Sequence, residues 1–223
     1  MTSVLIVDDQ ALIRHAVAGI LEQADDIEIL GEATNGAEAV RLATSFHPDV
    51  VLMDIRMPEL DGIAATAAIR ADPRLQDTRV LILTTFEEDE YLLAALRAGA
   101  SGFIGKGAEP SEIVRAVRSV HAGESLLSPM ATKSLIERFL STPAHTTPGQ
   151  VPAELALLTD REREVLHLVA RGRSNDDIAA ELVISPHTAK SHVNRTMTKL
   201  HAHDRAQLVI IAYESGLLGP GTG

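Results

Sequence analysis

Five side chains spread from residue 8 to residue 106 could do chemistry together: the carboxylates of Asp8, Asp9 and Asp54, the hydroxyl of Thr84 and the ammonium of Lys106. Each closes a short apolar run or follows one. Val4-Leu5-Ile6-Val7 leads into Asp8-Asp9, Val50-Val51-Leu52-Met53 into Asp54, Val80-Leu81-Ile82-Leu83 into Thr84, and Gly102-Phe103-Ile104 precedes Lys106 after one glycine. Three carboxylates brought together repel one another unless a cation neutralises them. Mg²⁺, a hard ion that takes oxygen ligands and keeps part of its water, suits such a set. With the charge neutralised, a carboxylate is a competent nucleophile towards phosphorus, because phosphoryl transfer asks mainly for positioning and electrostatics. Lys106 would supply a fixed positive charge and Thr84 a hydroxyl donor to phosphoryl oxygens.

Taken singly, these residues have plainer explanations. An Asp-Asp pair after a strand is often a helix cap, threonine is a common β-former, and lysine is usually solvated. What favours a shared site is the elements that would carry them. The four runs, with a more mixed fifth at Ile27-Glu28-Ile29-Leu30, are continuously apolar, as strands buried on both faces of a parallel sheet are. Helix-length amphipathic segments, such as Ala11 to Glu22 and Tyr91 to Ala98, lie between them. The alternation predicts a doubly wound α/β domain, and in such folds ligands bind at the carboxyl ends of the strands. Parallel strands would therefore bring all five side chains to one rim.

The chain has 223 residues, 45% hydrophobic and 23% charged, which predicts two folded domains and a connector. With no cysteine, no basic segment ahead of an apolar core and no apolar run near eighteen residues, the expectation is a cytoplasmic protein that does not enter a membrane. The net charge of −11 argues against nucleic-acid binding only until it is divided. Residues 1–140 carry 12 Lys and Arg against 22 Asp and Glu, whereas residues 155–223 carry 8 against 8. Within 185–203 stand Lys190, Arg195 and Lys199 and no acid.

After Glu109-Pro110-Ser111 a helix should run to about Ala122, with proline at an early position. Ser128-Pro129 restarts a short helix, and residues 141–152, with three prolines among small polar residues, read as a linker. From Leu158 the sequence is LTDREREVLHLVARGRSNDDIAAELVISPHTAKSHVNRTMTKL. Thr159 to Glu162 has capping-box form ahead of Val165, Leu166, Leu168 and Val169. Gly172 ends that helix, Ser174 caps a short second one, and Ser185-Pro186 starts a third. Two helices joined by a tight turn, the second basic, suggest helix-turn-helix. On the third helix Ala189, Val193, Met197 and Leu200 form the expected buried stripe. The opposite face and its flanks hold the candidate DNA contacts Thr188, Lys190, Ser191, His192, Asn194, Arg195 and Lys199, types that grip phosphate or read base edges.

On the pattern Leu5-Ile6-Val7-Asp8-Asp9, Leu52-Met53-Asp54-Ile55-Arg56-Met57-Pro58, Asp61-Gly62, Leu83-Thr84-Thr85 and Phe103-Ile104-Gly105-Lys106, residues 1–122 resemble a response-regulator receiver domain. The resemblance implies a five-stranded parallel sheet of order 2-1-3-4-5 and phosphorylation of Asp54 by a sensor histidine kinase. It also implies Mg²⁺ held by Asp9, Asp54 and the Arg56 backbone carbonyl, with Asp8 acting through water, and a switch coupling Thr84 to Phe103. Residues 155–217 resemble a LuxR-type helix-turn-helix through LTDREREVL, SNDDIAAEL and SPHTAKSHV, then KL, DRAQ and GLL. That resemblance implies a third helix in the major groove of promoter DNA and a fourth, about Arg205 to Ser215, that mediates dimerisation.

Receiver at 1–122, connecting helix and linker at 123–154, helix-turn-helix at 155–217 and tail at 218–223 together resemble the NarL/FixJ family. The implied function is transcription control in a two-component system, with phosphorylation gating homodimerisation and promoter binding. No enzymatic activity is expected beyond the receiver's own phosphorylation and dephosphorylation. The alternative is a constitutive DNA-binding regulator whose receiver serves only as a dimerisation module. A metal-dependent phosphatase would want a second aspartate two residues beyond the nucleophile, where Arg56 stands.

Overall fold

The computed structural model describes residues 1–84, 89–123, 155–202 and 204–217, with residues 89, 90 and 92 described by their backbone alone. Thr85, His203, the tail at 218–223 and all of the expected connecting segment except Gly123 lie outside the described residues. The chain divides into two units, Met1–Ser128 and Pro129–Gly223.

The first unit alternates strand and helix in the order β1 (Thr2–Val7), α1 (Ala11–Leu21), β2 (Ile27–Ala33), α2 (Gly36–Phe46), β3 (Val50–Asp54), α3 (Gly62–Ala71), β4 (Arg79–Thr84), α4 (Asp89–Arg97), β5 (Gly102–Gly105) and α5 (Pro110–His121). The strands pair in parallel as β2-β1-β3-β4-β5, the expected order. Val4, Ile6, Leu52, Leu81 and Leu83 pack on one face with Val17 and Leu21 of α1 and with Ile113, Val117 and Val120 of α5. The alternate residues Leu5, Val51, Met53 and Ile82 are as deeply buried. Side chains alternate along a strand, so both faces are covered, and this is why the runs are apolar without interruption. β2 is the exception: it is an edge strand with Glu28 and Glu32 exposed. It runs three residues beyond the apolar stretch, after a register slip opposite Val4 and Leu5.

Two helices are fixed at their starts by side chains. The Glu38 N–H donates to Asn35 Oδ1 at the head of α2, and the Ala64 N–H to Asp61 Oδ1 at the head of α3; each cap satisfies a donor that the helix leaves open. Gly62, the first residue of α3, donates its N–H to the Ile55 carbonyl at 2.8 Å. Its α-carbon lies so close under the end of β3 that a β-carbon there would stand 1.9 Å from the Asp54 carbonyl oxygen. Only glycine permits that approach.

The described residues of the second unit begin with a 3-10 turn, Leu155–Leu157, and hold α6 (Asp160–Ala170), α7 (Asn175–Leu182), α8 (Pro186–Lys199) and α9 (Arg205–Glu214). Thr159, Ser174, Ser185 and Asp204 cap the four helices in turn, the first two as full capping boxes with Glu162 and Asp177. Val165, Leu166, Val169, Ile178, Ala189 and Val193 are among the buried side chains. The buried stripe of α8 differs from expectation at one position: Thr196 is fully buried, whereas Met197 is half-buried. The steps 189, 193, 196 and 200 follow the 3.6-residue period more closely than one passing through 197, and the Thr196 hydroxyl satisfies itself on the His192 carbonyl at 2.9 Å. Among the described residues no helix is long and apolar enough to cross a membrane.

Because the clash at Gly62 is with backbone, Gly62→Ala is expected to destabilise the protein by about 3 kcal/mol, the upper part of the range for overpacked sites. Urea unfolding of the two proteins measures the difference.

Candidate functional site

The sheet order places β1, β3, β4 and β5 side by side, so their carboxyl ends form one continuous edge. Asp8 directly follows β1, Asp54 ends β3, Thr84 ends β4, and Lys106 directly follows β5. The structure brings the predicted acids together: one carboxylate oxygen from each of Asp8, Asp9 and Asp54 lies within 4.8 Å of the others. Asp8 is wholly buried and Asp54 is 3% exposed, while Asp9 stands at the solvent edge. Lys106 reaches in between the two buried acids, its Nζ 2.7 Å from Asp8 Oδ2 and 2.9 Å from Asp54 Oδ1.

The surrounding backbone holds this arrangement in place. The Ile55 N–H donates to Asp54 Oδ1 and the Gln10 N–H to Asp8 Oδ1, both at 2.9 Å. The Lys106 N–H donates to the Thr84 carbonyl at 2.8 Å, which ties the ends of β4 and β5. Arg14 of α1, a residue that sequence reasoning missed, donates to the Asp8 carbonyl at 2.8 Å and pairs with Glu32 at 3.1 Å. Arg56 lies exposed two residues beyond Asp54, Thr84 is half-buried, and Phe103 is buried on β5 opposite Ile82.

Burial pushes the Asp54 carboxyl up to about 6, against the opposing pull of Lys106; the nearby Asp8 charge raises it further. Burial also works against the Lys106 ammonium, but the two carboxylates outweigh it and its pKa lies above the ordinary lysine value. Three carboxylates around a half-open corner are the hard oxygen donors that a divalent cation of the Mg²⁺ type takes.

In the helical unit, Lys190, Asn194, Arg195 and Thr198 are exposed on α8, while Thr188, Ser191 and His192 are half-buried. The Ser191 and Thr198 hydroxyls donate to the His187 and Asn194 carbonyls at 3.0 Å. Lys199 is engaged elsewhere. Its Nζ is 2.7 Å from Glu162 Oε2 and 3.2 Å from the Leu157 carbonyl. Burial alone would raise the Glu162 pKa, but Lys199 together with the Thr159 amide and hydroxyl holds it at about 2. The capping-box position of Glu162 was visible in the sequence; its role as an interior anion was not.

A family model described as the response regulator receiver domain matches residues 4–118, and one described as bacterial regulatory proteins of the luxR family matches residues 156–212. The transcriptional regulatory protein LiaR of Bacillus subtilis is 37% identical over 218 residues, covering 98% of this chain and all of that protein. The response regulator protein VraR of Staphylococcus aureus is 38% identical over 216 residues, covering 96% of this chain and 98% of that one. Among solved structures, the response regulator ChrA of a heme-sensing two-component system matches with a TM-score of 0.53 at 32% identity, over 97% of this chain and 98% of that one.

The raised pKa makes Asp54 a measurable burden on stability. Between its ordinary value of 3.8 and about 6 the folded protein binds a proton that the unfolded chain has released, so stability falls as pH rises through that window. In the absence of divalent cations Asp54→Asn is therefore expected to be more stable than the parent protein at pH 7.5, by about 1–3 kcal/mol. The gap should close towards pH 4; urea titrations at the two pH values read it directly.

Proposed function

The chain belongs to the two-component response regulators that carry a receiver domain and a LuxR-type DNA-binding domain, and on that premise we propose that Asp54 is the phosphoacceptor and that its phosphorylation gates dimerisation and promoter binding. The receiver is assigned to residues 1–122, the connecting helix and linker to 123–154, the DNA-binding domain to 155–217 and a flexible tail to 218–223, all in the cytoplasm. The observation that carries this reading is the buried Asp54 carboxylate held between Asp8 and Lys106 at the end of a rigid strand.

In the transfer step an Asp54 carboxylate oxygen forms a bond to phosphorus while the bond between phosphorus and the nitrogen of the kinase's phosphohistidine breaks. The released imidazole keeps the bonding pair and takes up a proton. Asp9, Asp54 and the Arg56 carbonyl, with Asp8 nearby, would hold Mg²⁺, which would supply the charge neutralisation that lets an anionic nucleophile meet an anionic donor. Lys106 stays on the same rim as a fixed cation for the transferred oxygens, and the Ile55 N–H keeps Asp54 aimed. The same groups, with water as nucleophile, would return the acyl phosphate to Asp54 and inorganic phosphate.

The new phosphoryl group adds negative charge next to Thr84 and Lys106. Drawing the Thr84 hydroxyl towards it changes the room available to Phe103 in β5, a two-state element of the kind that phosphorylation biases. A full shift from 1:99 to 99:1 needs about 5.5 kcal/mol of differential stabilisation. A smaller bias suffices when dimerisation on a two-fold operator multiplies it. In the second domain α8 enters the major groove, with Lys190, Asn194 and Arg195 facing the DNA and Thr188, Ser191 and His192 beside them, while α9 supplies the dimer contact.

Acetyl phosphate with Mg²⁺ is expected to add one phosphoryl group to the protein by intact mass, to raise its sedimentation coefficient to that of a dimer, and to tighten promoter binding. Asp54→Asn should show none of the three and remain folded. A protein that gains no phosphoryl mass and binds DNA alike with or without Asp54 would be a constitutive regulator instead.

A further inference from the structure

We infer that Lys199 is a positioning residue that holds α8 in register on α6, and not a phosphate contact; the inference rests on the reading of α8 as the DNA-facing helix. Lys199 is the last residue of α8. Its ammonium meets a carboxylate that is itself buried, the Glu162 side chain being 6% exposed. Glu162 Oε2 also accepts the Thr159 N–H at 2.8 Å and the Thr159 hydroxyl at 2.9 Å. A second Lys199 bond reaches the Leu157 carbonyl, in the turn through which the chain enters the domain. One oxygen thus gathers donors from the cap of α6 and from the far end of α8, so neither helix can slide without breaking the set.

The energetics separate this lysine from the exposed cations of the same helix. Removing the partner of a buried carboxylate leaves an uncompensated charge in dry surroundings, which costs far more than losing a solvated contact. Lys190 and Arg195 are exposed and make no ion pair among the described residues. At the other end of α8 the Thr188 N–H donates to the Ser185 hydroxyl at 3.1 Å. The helix is therefore pinned at both ends, by an N-cap and by Lys199, with the groove-facing residues between. Base readout depends on that register, whereas phosphate attraction tolerates small displacements.

The experiment uses the full chain treated with acetyl phosphate and Mg²⁺, a duplex enriched by the parent protein from a random pool, and a scrambled duplex of the same composition. Dissociation constants are measured over a series of KCl concentrations. Lys190→Ala, the control for an exposed contact, should lower the slope of log affinity against log salt by about one. Lys199→Met should weaken binding to the enriched duplex by about tenfold or more, leave the salt slope unchanged and narrow the preference over the scrambled duplex. Glu162→Gln should reproduce that pattern, and Lys199→Arg should recover most of the preference. If Lys199→Met lowers the slope by about one while Glu162→Gln binds as the parent does, Lys199 is a phosphate contact and the inference is wrong. If Lys190→Ala is also without effect, the reading of α8 itself has failed. Should Lys199→Met leave the helical domain unfolded by circular dichroism, Glu162→Gln carries the same comparison.

Discussion

A carboxylate held dry at the end of a buried strand is the constraint around which the first domain is arranged. Asp54 ends a strand buried on both faces, and burial raises its pKa towards neutrality. Left unpaired, such a group would simply protonate. Lys106 prevents this by standing between Asp54 and Asp8, and it can stand there only because β5 lies in parallel on β4 and β4 on β3. The sheet order, the continuous apolar runs and the glycine under the strand end are all conditions for that one ionic contact. An antiparallel partner would have sent Lys106 to the opposite edge of the sheet.

The second domain holds a buried carboxylate facing a lysine as well, and the outcome is opposite. Glu162 is driven down to about 2 while Asp54 is pushed up to about 6. At Asp54 burial is the largest influence and prevails over Lys106, whereas at Glu162 Lys199 and the Thr159 donors together outweigh it. Glu162 faces Lys199 as its one ionic partner and adds two donors from Thr159, so its charge is more than satisfied. Lys106 is divided between two acids, with Asp9 at the margin. The first arrangement joins two helices; the second gathers three carboxylates that could hold a metal ion. Counting a salt bridge in each place would miss this distinction.

The division of charge along the chain follows the same logic. The acidic excess belongs to the first domain, where carboxylates surround the site and the solvated helix faces. Residues 185–203, which include α8, hold three basic residues and no acid inside a region, 155–223, that is neutral overall, so positive charge is concentrated on one helix and not spread over the surface. Capping serves as the local organiser in both domains. Asn35 and Asp61 start α2 and α3, and Thr159, Ser174, Ser185 and Asp204 start the four described helices of the second.

Much of this was already written in the order of residues. The runs ending at Asp8, Asp54, Thr84 and Lys106 specified parallel strands and a shared rim, because a strand covered on both faces has no polar side to show. The caps at Thr159, Ser174 and Ser185 marked the helix starts, because the hydrogen bonds they make span only three residues. What sequence alone left open depended on partners distant along the chain. The reach of β2 past its apolar stretch was set by pairing with β1, and the burial of Thr196 in place of Met197 by the helices packed against α8. Arg14 drew its meaning from the Asp8 carbonyl and Glu32. Lys199 looked like one more cation on a basic helix, and only packing placed a buried carboxylate 37 residues away against it. Residue type and short-range spacing determine which groups exist and which way each element runs; which charge meets which is decided by tertiary structure, because an ion pair depends on distance in space and on the water excluded around it.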